Sequence, residues 1–385
     1  MYPTISHLIQ DWTGIYIPLP IQTFGFFVAM AFLFGGYILS KELQRKYEAG
    51  LIGDSTRKEK LGAPASIAEI ANNFVIGFLM GFKILFLILN YQAFVYDPQG
   101  SILSLEGNWI GGLILGIGMA YYVYYDKKKH ALPEVKIETV KVLPQDLTWN
   151  MVVIAAIFGI LGAKLFHNLE YIDDFMANPI ESLLSFSGLT FYGGLLGGAI
   201  SVIWYAKKHN ISTLHLIDAS APVLMVAYGI GRFGCHFSGD GDWGIVNTLA
   251  QPSALQFLPD WFWAYDYPNN VIGEGVFIPG CEGKFCAVLP EKVFPTPLYE
   301  ALTSIGLFGV LMAIRKRITI PGMLFAIYLL MNGVERFFIE KIRVNAVYHI
   351  GGNDITQAEI ISSIMVVVSL AWIIYLWKSS KKKKP

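Results

Sequence analysis

The chain is short of charge and of cysteine. Asp, Glu, Lys and Arg make up 15% of its 385 residues, whereas a soluble domain carries roughly 25%. The 29 basic residues balance the 29 acidic ones, so the chain has no overall basic field that would attract nucleic acid. Three cysteines are too few for a disulfide scaffold. These deficits exclude an ordinary soluble domain, a nucleic-acid-binding protein and a cysteine-rich secreted module.

Long apolar runs make up most of the chain instead. Hydrophobic residues account for 54% of the sequence, and they gather in stretches that approach the length of about 20 residues needed to cross a bilayer as a helix. We therefore predict a single all-α, polytopic transmembrane domain over residues 1–385. The nine candidate spans are 21–39, 67–91, 109–125, 149–169, 189–206, 213–231, 297–314, 320–340 and 355–377.

The basic residues predict the orientation. Lys and Arg are absent from segments 1–20, 92–108 and 170–188 and crowd into the alternate ones, ending in the tail 378–385. Because positively charged loops stay in the cytoplasm, we expect the N-terminus outside and the basic tail inside. No basic segment precedes the first apolar run, so we expect that run to be a retained helix rather than a cleaved signal peptide.

Two stretches of the chain resemble each other at an offset of 81–82 residues. GFKILFLILNY (81–91) aligns with GAKLFHNLEY (162–171), and GGLILG (111–116) aligns with GGLLGG (193–198). The alignment places Lys83 over Lys164. A lysine inside an apolar run either serves function or snorkels along its helix to a polar partner, and both interpretations stay open. Each copy is a helix pair, whereas transporters more often carry inverted repeats.

Polar chemistry concentrates in two places on the predicted outer side. GIGRFGCHFSGDGDWG (229–244) carries Arg232 and opens the segment 232–296, which we expect to form a small periplasmic cap. NGVERFFIEKIR (332–343) ends the eighth span, and its Arg336 and Glu340 are spaced to pair on one helix face. Arginine is suited to binding phosphate. Two arginines at headgroup level therefore indicate a phospholipid-phosphate site, with a plain interfacial ion pair as the alternative.

No metal or cofactor site is predicted. DGDWG (240–244) resembles the start of a calcium loop but lacks its later ligand positions, and no phosphate-binding or dinucleotide fingerprint is present. Ser238, His236 and Asp240 have the residue types of a catalytic triad, yet close neighbours in one loop rarely form one. We expect Cys281 and Cys286 to form a local disulfide on the oxidising side, with free thiols as the alternative.

Four motifs, in this order, resemble bacterial prolipoprotein diacylglyceryl transferases. SGLTFYGGLLGG (187–198) is similar to that family's G-G-x-S-F-H-G-G-L, and GRFGCHFSGDGDWG (231–244) to its G-R-x-G-N-F-x-N-G-E-x-x-G. FPTPLYEA (294–301) is similar to H-P-x-Q-L-Y-E-A, and RFFIE (336–340) to R-x-x-x-E. The resemblance covers the first helix and about 146–377, so residues 61–130 look like a helix pair inserted into a seven-helix plan.

The resemblance implies a multi-pass enzyme of the bacterial inner membrane whose active site faces the periplasm. Such an enzyme moves the diacylglyceryl group of phosphatidylglycerol to the lipobox cysteine of a preprolipoprotein signal peptide, forming a thioether and releasing glycerol phosphate without a cofactor. Arg232 would hold the headgroup phosphate, Arg336 would stabilise the leaving phosphate and Glu340 would orient Arg336. The further substrate-binding candidates are Asp240, Gly193, Gly194, Gly244, Tyr299 and Lys164.

The chain departs from the family pattern where the thiol would be activated. Tyr192 replaces the histidine of F-H-G-G, Cys235 and Ser238 replace the signature asparagines, and Phe294 and Pro297 replace the His and Gln of H-P-x-Q. A tyrosine pKa near 10 makes a poor base at neutral pH, so His236 is the replacement candidate, or else a loop hydrogen-bond partner. A different lipid donor or acceptor is the first alternative function. A membrane transporter or lipid-binding protein is the second.

Overall fold

The computed structural model describes residues 1–385 apart from 185–187, 189, 346, 351–352 and 383–385. Its described part holds nine helices of 18 residues or more, one at each predicted span. They are α1 (Thr23–Glu48), α2 (Ile67–Leu89), α3 (Trp109–Lys129), α4 (Thr148–Glu170), α5 (Phe191–Lys208), α6 (Thr213–Ser238), α7 (Thr296–Ile314), α8 (Met323–Glu340) and α9 (Gln357–Lys382). The all-α, polytopic class is confirmed.

Six of these helices, α1, α2, α4, α6, α7 and α9, are long and apolar enough to cross a membrane. The helix α8 carries Glu335, Arg336 and Glu340 within its 18 residues, which lowers its hydropathy. The count of nine crossings and the orientation therefore stay predictions. The last residues of the basic tail, 383–385, lie outside the described residues, as do Ser187 and Leu189 of the motif at 187–198.

Short elements connect the long helices. Three antiparallel strand pairs are described: β1 (Ser55–Leu61) with β2 (Lys136–Val142), β3 (Val276–Phe277) with β4 (Ala287–Val288), and β5 (Val347–Ile350) with β6 (Asn353–Thr356). The short helices are Ile5–Thr13, Tyr91–Tyr96, Pro98–Leu103, Pro144–Leu147, Ile172–Ala177, Pro179–Leu184, Ser253–Leu255 and Asp260–Trp263.

The helix α6 lies at the centre of the bundle. Its first half contributes Leu216 to a buried cluster with Leu43 of α1 and Met151 of α4. Met225, at the middle of α6, belongs to another cluster, which includes Leu311 of α7 and Leu324 of α8. Nearer the C-terminal end of α6, Gly229 lies against Ala301 of α7 and Gly234 against Phe27 of α1, so that end is packed on two neighbouring helices.

The helix α6 also runs seven residues beyond the predicted span, which ended at 231. Residues 232–238 are helical, and Gly239 ends the helix in the left-handed conformation at φ 66°, which glycine adopts without strain. Residues 239–295, called the cap below, follow and enclose Trp243, Tyr267 and Leu289. The disulfide between Cys281 and Cys286 is present in the cap.

The two repeat copies fold as helix hairpins with the same glycine contact. A Cβ on Gly81 of α2 would collide with the carbonyl oxygen of Gly111 in α3. At the equivalent place in the second copy, a Cβ on Gly162 of α4 would collide with the carbonyl oxygen of Gly193 in α5. Small residues let helix backbones approach closely, so these glycines set the spacing within each hairpin.

The connection between the two helices is repeated as well. The short helices Tyr91–Tyr96 and Pro98–Leu103 recur 81 residues later as Ile172–Ala177 and Pro179–Leu184. In the first copy Lys83 donates to the carbonyl oxygens of Ser101 (3.2 Å) and Glu106 (2.8 Å). The ammonium group of Lys83 therefore ties the connection to α2.

The segments before and after the first hairpin form an antiparallel strand pair. The strand β1 pairs with β2 from Ser55 opposite Val142 to Leu61 opposite Lys136, and α2 and α3 pack chiefly on each other. The ladder brings together the two ends of the segment that contains residues 61–130. That this segment is an insertion stays a prediction.

Candidate active site

Three arginines contact one buried carboxylate where the cap meets the bundle. Glu300 of α7 has no exposed surface. Its Oε2 lies 3.2 Å from Nε of Arg232 in α6, while its Oε1 accepts from Nη1 of Arg336 in α8 at 2.9 Å and from Nη1 of Arg343 beyond α8 at 3.4 Å. The site combines three segments of the chain, with Arg232 on α6, Glu300 on α7, and Arg336 and Arg343 on and just after α8, so it exists only once these have packed together.

Asp242 of the cap forms a second bridge between two of these arginines. One carboxylate oxygen accepts from Arg232 and the other from Arg343. Gly244 helps to place both partners, because it pairs with Arg343 in an isolated β-bridge. A Cβ at Gly244 would collide with the carbonyl oxygen of Ile342, which explains the need for glycine at this position.

Glu340 completes the group on the α8 side. Its Oε2 lies 3.0 Å from Nη2 of Arg336, which confirms the predicted pair of residues four apart. Nδ2 of Asn345 donates to Oε1 of Glu340 at 2.6 Å. The hydroxyl of Tyr228 donates to Glu300 at 2.8 Å, and the guanidinium of Arg232 lies 5.1 Å from the Tyr228 ring centre.

We call Arg232, Arg336, Arg343, Asp242, Glu300 and Glu340 the arginine cluster. Its three guanidinium groups face three carboxylates, so its charges balance. Arginine binds carboxylate and phosphate through the same planar fork of donors. An incoming phosphate can therefore take the place of a carboxylate without new donors being built.

A thiol and two carboxylates lie beside the cluster. The Cys235, Asp240 and Asp242 ligand atoms are all within 4.8 Å of one another, and Cys235 Sγ lies 3.9 Å from Nη1 of Arg232. Burial raises the pKa of Asp240 above its usual range, an effect that a hydrogen bond with Cys235 opposes. The carboxylate of Asp242 is engaged by two guanidinium groups, which compete with any cation for its oxygens.

His236 lies in an aromatic pocket of the cap. Its side chain is 3% exposed, its Nδ1 is 3.2 Å from the hydroxyl of Tyr267, and the ring of Trp261 packs nearby. The hydroxyl of Ser238 donates to the carbonyl oxygen of Gly234 at 2.8 Å, so Ser238, His236 and Asp240 do not form a triad. His236 is bonded to the cap and has no described contact with the arginine cluster.

The remaining predicted residues lie on other elements. Tyr192, at the start of α5, is 44% exposed, and its ring lies beside that of Phe191. Gly193 and Gly194 pack α5 against α4, where Lys164 is buried. Tyr299 of α7 donates its hydroxyl hydrogen to the carbonyl oxygen of Phe262 at 2.8 Å. Within the described contacts, the structure does not bring these residues into the arginine cluster.

Sequence reasoning missed Glu300, Asp242 and Arg343 as site residues, although each stands in a motif that it had singled out. Glu300 is the acidic residue of FPTPLYEA, Asp242 lies in DGDWG and Arg343 ends NGVERFFIEKIR. The available signal was an acidic residue in one motif, which could neutralise the arginines of the two other motifs. Their convergence depends on the packing of α6, α7 and α8, which the linear motifs do not encode.

Comparison with known proteins identifies a family that the chain matches. The model of the family "prolipoprotein diacylglyceryl transferase" matches residues 112–375, from within α3 through the cap and the arginine cluster into α9. Three similar proteins are each named phosphatidylglycerol–prolipoprotein diacylglyceryl transferase. The one from Staphylococcus haemolyticus is 28% identical over 74% of this chain and 89% of its own length. Those from Clostridium novyi and Shouchella clausii are 28% and 29% identical over 74% and 69% of this chain, and 95% and 84% of their own.

Proposed function

The chain belongs to the prolipoprotein diacylglyceryl transferase family, and we propose that it moves the diacylglyceryl group of phosphatidylglycerol to the lipobox cysteine of a preprolipoprotein signal peptide. The chain is a transferase of the membrane. In the proposed reaction the cysteine thiol loses its proton and its sulfur bonds to the glycerol carbon of the lipid. The bond from that carbon to the phosphate oxygen breaks, and glycerol phosphate leaves.

The observation that carries the proposal is the convergence of Arg232, Arg336 and Arg343 on one buried carboxylate. The reaction expels a phosphate monoester, and preorganised cationic donors stabilise the charge that develops on such a leaving group. Arg232 is proposed to hold the lipid phosphate and Arg336 to stabilise the leaving phosphate, with Arg343 as a third donor. Glu300 and Glu340 fix the guanidinium planes.

One of the carboxylates that bind the arginines gives way to the lipid phosphate in this proposal. The side chain of Asp242 is 33% exposed, whereas that of Glu300 has no exposed surface. Asp242 is therefore the partner that a phosphate displaces, and Glu300 keeps the arginines in place during the exchange. We propose that this end of the bundle faces the periplasm of a bacterial inner membrane, in keeping with the lysine-free and arginine-free segment 1–20, whose terminal amine donates to the carbonyl oxygen of Pro268 in the cap.

Two residues remain candidates for the group that takes the thiol proton. His236 lies one helical turn beyond Arg232, and Tyr192 stands where the family resemblance has a histidine. Asp240, Gly193, Gly194, Gly244, Tyr299 and Lys164 remain candidate substrate-binding residues. Gly244 is proposed to act through the backbone, by positioning Arg343 against Asp242.

The proposal is tested on the full chain in detergent micelles with phosphatidylglycerol and a lipobox peptide. The expected result is release of glycerol phosphate together with a gain of one diacylglyceryl mass on the peptide. Both signals should vanish when the peptide cysteine is replaced by serine. A folded preparation that gives neither signal would overturn the assignment. Transfer from another phospholipid alone would replace the proposed donor.

A further inference from the structure

Glu335 is a buried carboxylate that the proposed reaction does not use. It precedes Arg336 on α8 and is 7% exposed. Within the described part of the chain, neither of its carboxylate oxygens has a hydrogen-bond partner. The other carboxylates around the arginines, Asp242, Glu300 and Glu340, each accept a hydrogen bond from a side chain. Oε2 of Glu340 also lacks a hydrogen bond but lies 3.0 Å from Nη2 of Arg336. Of these four carboxylates, Glu335 is therefore the one with both oxygens unpartnered.

The electrostatic surroundings of Glu335 are those of the arginine cluster. Glu335 adjoins Arg336 in the chain, and its carboxyl group interacts electrostatically with Glu300, Arg232 and Arg343 and with the phenol of Tyr228. Glu335 therefore borders the arginine cluster. A buried polar group that lacks a hydrogen bond destabilises the fold, and such groups call for a functional explanation.

We infer that Glu335 binds the two hydroxyl groups of the headgroup glycerol of phosphatidylglycerol and determines the choice of that lipid. The inference rests on the proposed function. The headgroup glycerol offers two O–H donors, and Glu335 offers two oxygen acceptors without partners. When the arginines hold the phosphate, the glycerol that is esterified to it is carried to the border of the cluster, where Glu335 lies.

Recognition of this kind gives strong discrimination. A site built to hydrogen-bond a hydroxyl rejects an analogue that lacks it, because the buried polar group of the site is then left unpaired. Two hydrogen bonds lost together are expected to weaken binding by roughly tenfold or more. The arginines alone do not provide this selectivity, since every phosphodiester lipid offers them the same phosphate.

The test compares two donor lipids on the full chain with the lipobox peptide. Phosphatidylethanol has the single phosphodiester charge of phosphatidylglycerol but no headgroup hydroxyl. The wild-type protein is expected to transfer from phosphatidylglycerol at least tenfold faster at limiting lipid. Glu335→Leu should bring the two rates together by lowering only the phosphatidylglycerol rate. Glu335→Gln keeps the shape of the side chain and one oxygen acceptor. Its ratio of the two rates should lie between that of the wild type and that of Glu335→Leu. Glu291→Leu, an exposed change in the cap, is the matched control and should keep the wild-type ratio.

Three outcomes would overturn the inference. Glu335→Leu could lower both rates equally, which is what a purely structural role predicts, or Glu335→Leu and Glu335→Gln could keep the wild-type ratio. Faster transfer from phosphatidylethanolamine than from phosphatidylglycerol would show that the carboxylate selects an ammonium group instead. A thermal-shift measurement with each lipid separates this inference from the proposed function. Stabilisation of the wild type by phosphatidylglycerol over phosphatidylethanol, without transfer and lost in Glu335→Leu, would contradict the proposed reaction but support the role of Glu335.

Discussion

At the scale of single residues, Glu300 holds the site together. Glu300→Gln removes the charge shared by Arg232, Arg336 and Arg343. Loss of one partner from a buried ion pair costs about 3–5 kcal/mol, so we predict a clearly lowered unfolding temperature in detergent and loss of transfer. Glu291→Gln, at an exposed position of the cap, should change neither. Wild-type stability of Glu300→Gln would contradict this role.

The two candidate bases are separated by their variants. We predict that His236→Ala lowers the transfer rate more than Tyr192→Phe, after both rates are normalised to folded protein. Tyr267→Phe is the control, because it removes the hydrogen-bond partner of His236 but keeps the ring. The reverse order of rates would identify Tyr192 as the base or as a headgroup contact.

The residues that sequence could predict are those in local motifs. Arg336 and Glu340 are four apart on one helix, so their pairing follows from helical spacing alone. Glu300 lies 68 positions after Arg232 and 36 before Arg336, and no pattern in the sequence measures that distance in space. Tyr192 was grouped with the arginines by its motif, and Lys164 was selected through the repeat as a charged residue in an apolar run. Both belong to the α4–α5 hairpin, whose described contacts do not include the cluster.

At the scale of elements, the two glycine contacts define the hairpins. We predict that Gly162→Ala destabilises the protein, because a Cβ would meet the carbonyl oxygen of Gly193 and such overpacking costs about 1–3 kcal/mol. Gly159→Ala lies on the same helix, and its Cβ would be in ordinary contact at 3.6 Å from the Gly194 carbonyl oxygen. That control should be neutral or stabilising by up to about 1 kcal/mol. Equal unfolding temperatures for the two variants would contradict the close contact.

The sequence identified both hairpins but not every helix end. The repeat GFKILFLILNY and GAKLFHNLEY predicted two similar units, and the units share their glycine contact and their short connecting helices. Apolar content stops at residue 231, whereas α6 continues to Ser238. Hydropathy identifies only the apolar part of a helix. The helix itself ends where the backbone leaves the helical conformation, here at Gly239.

At the scale of the whole molecule, the orientation is the prediction that most needs a measurement. We predict that a membrane-impermeant maleimide labels Gln99→Cys in intact cells and labels Lys58→Cys only after the membrane is opened. Both positions are exposed, and the native free thiol, Cys235, is buried. Labelling of Lys58→Cys alone in intact cells would reverse the orientation and move the arginine cluster to the cytoplasmic side.

Composition was enough to predict the class of the molecule and the place of its helices, because bilayer thickness sets helix length. It did not settle the number of crossings. The helix α8 combines the apolar run from Met323 with charged residues of the candidate site. These charges lower its hydropathy, so hydropathy alone does not identify it as a membrane span. The cap, built mostly from loops, was predictable only as a polar segment with one disulfide.

The most direct test of the account is transfer of the diacylglyceryl group by variants of the arginine cluster, read as the mass of the lipobox peptide after incubation with phosphatidylglycerol. We predict that Arg232→Ala and Arg336→Ala abolish the mass gain while both proteins remain folded, and that Arg57→Ala on the exposed strand β1 retains it. A normal mass gain with either Arg232→Ala or Arg336→Ala would contradict the claim that these arginines bind and stabilise the phosphate.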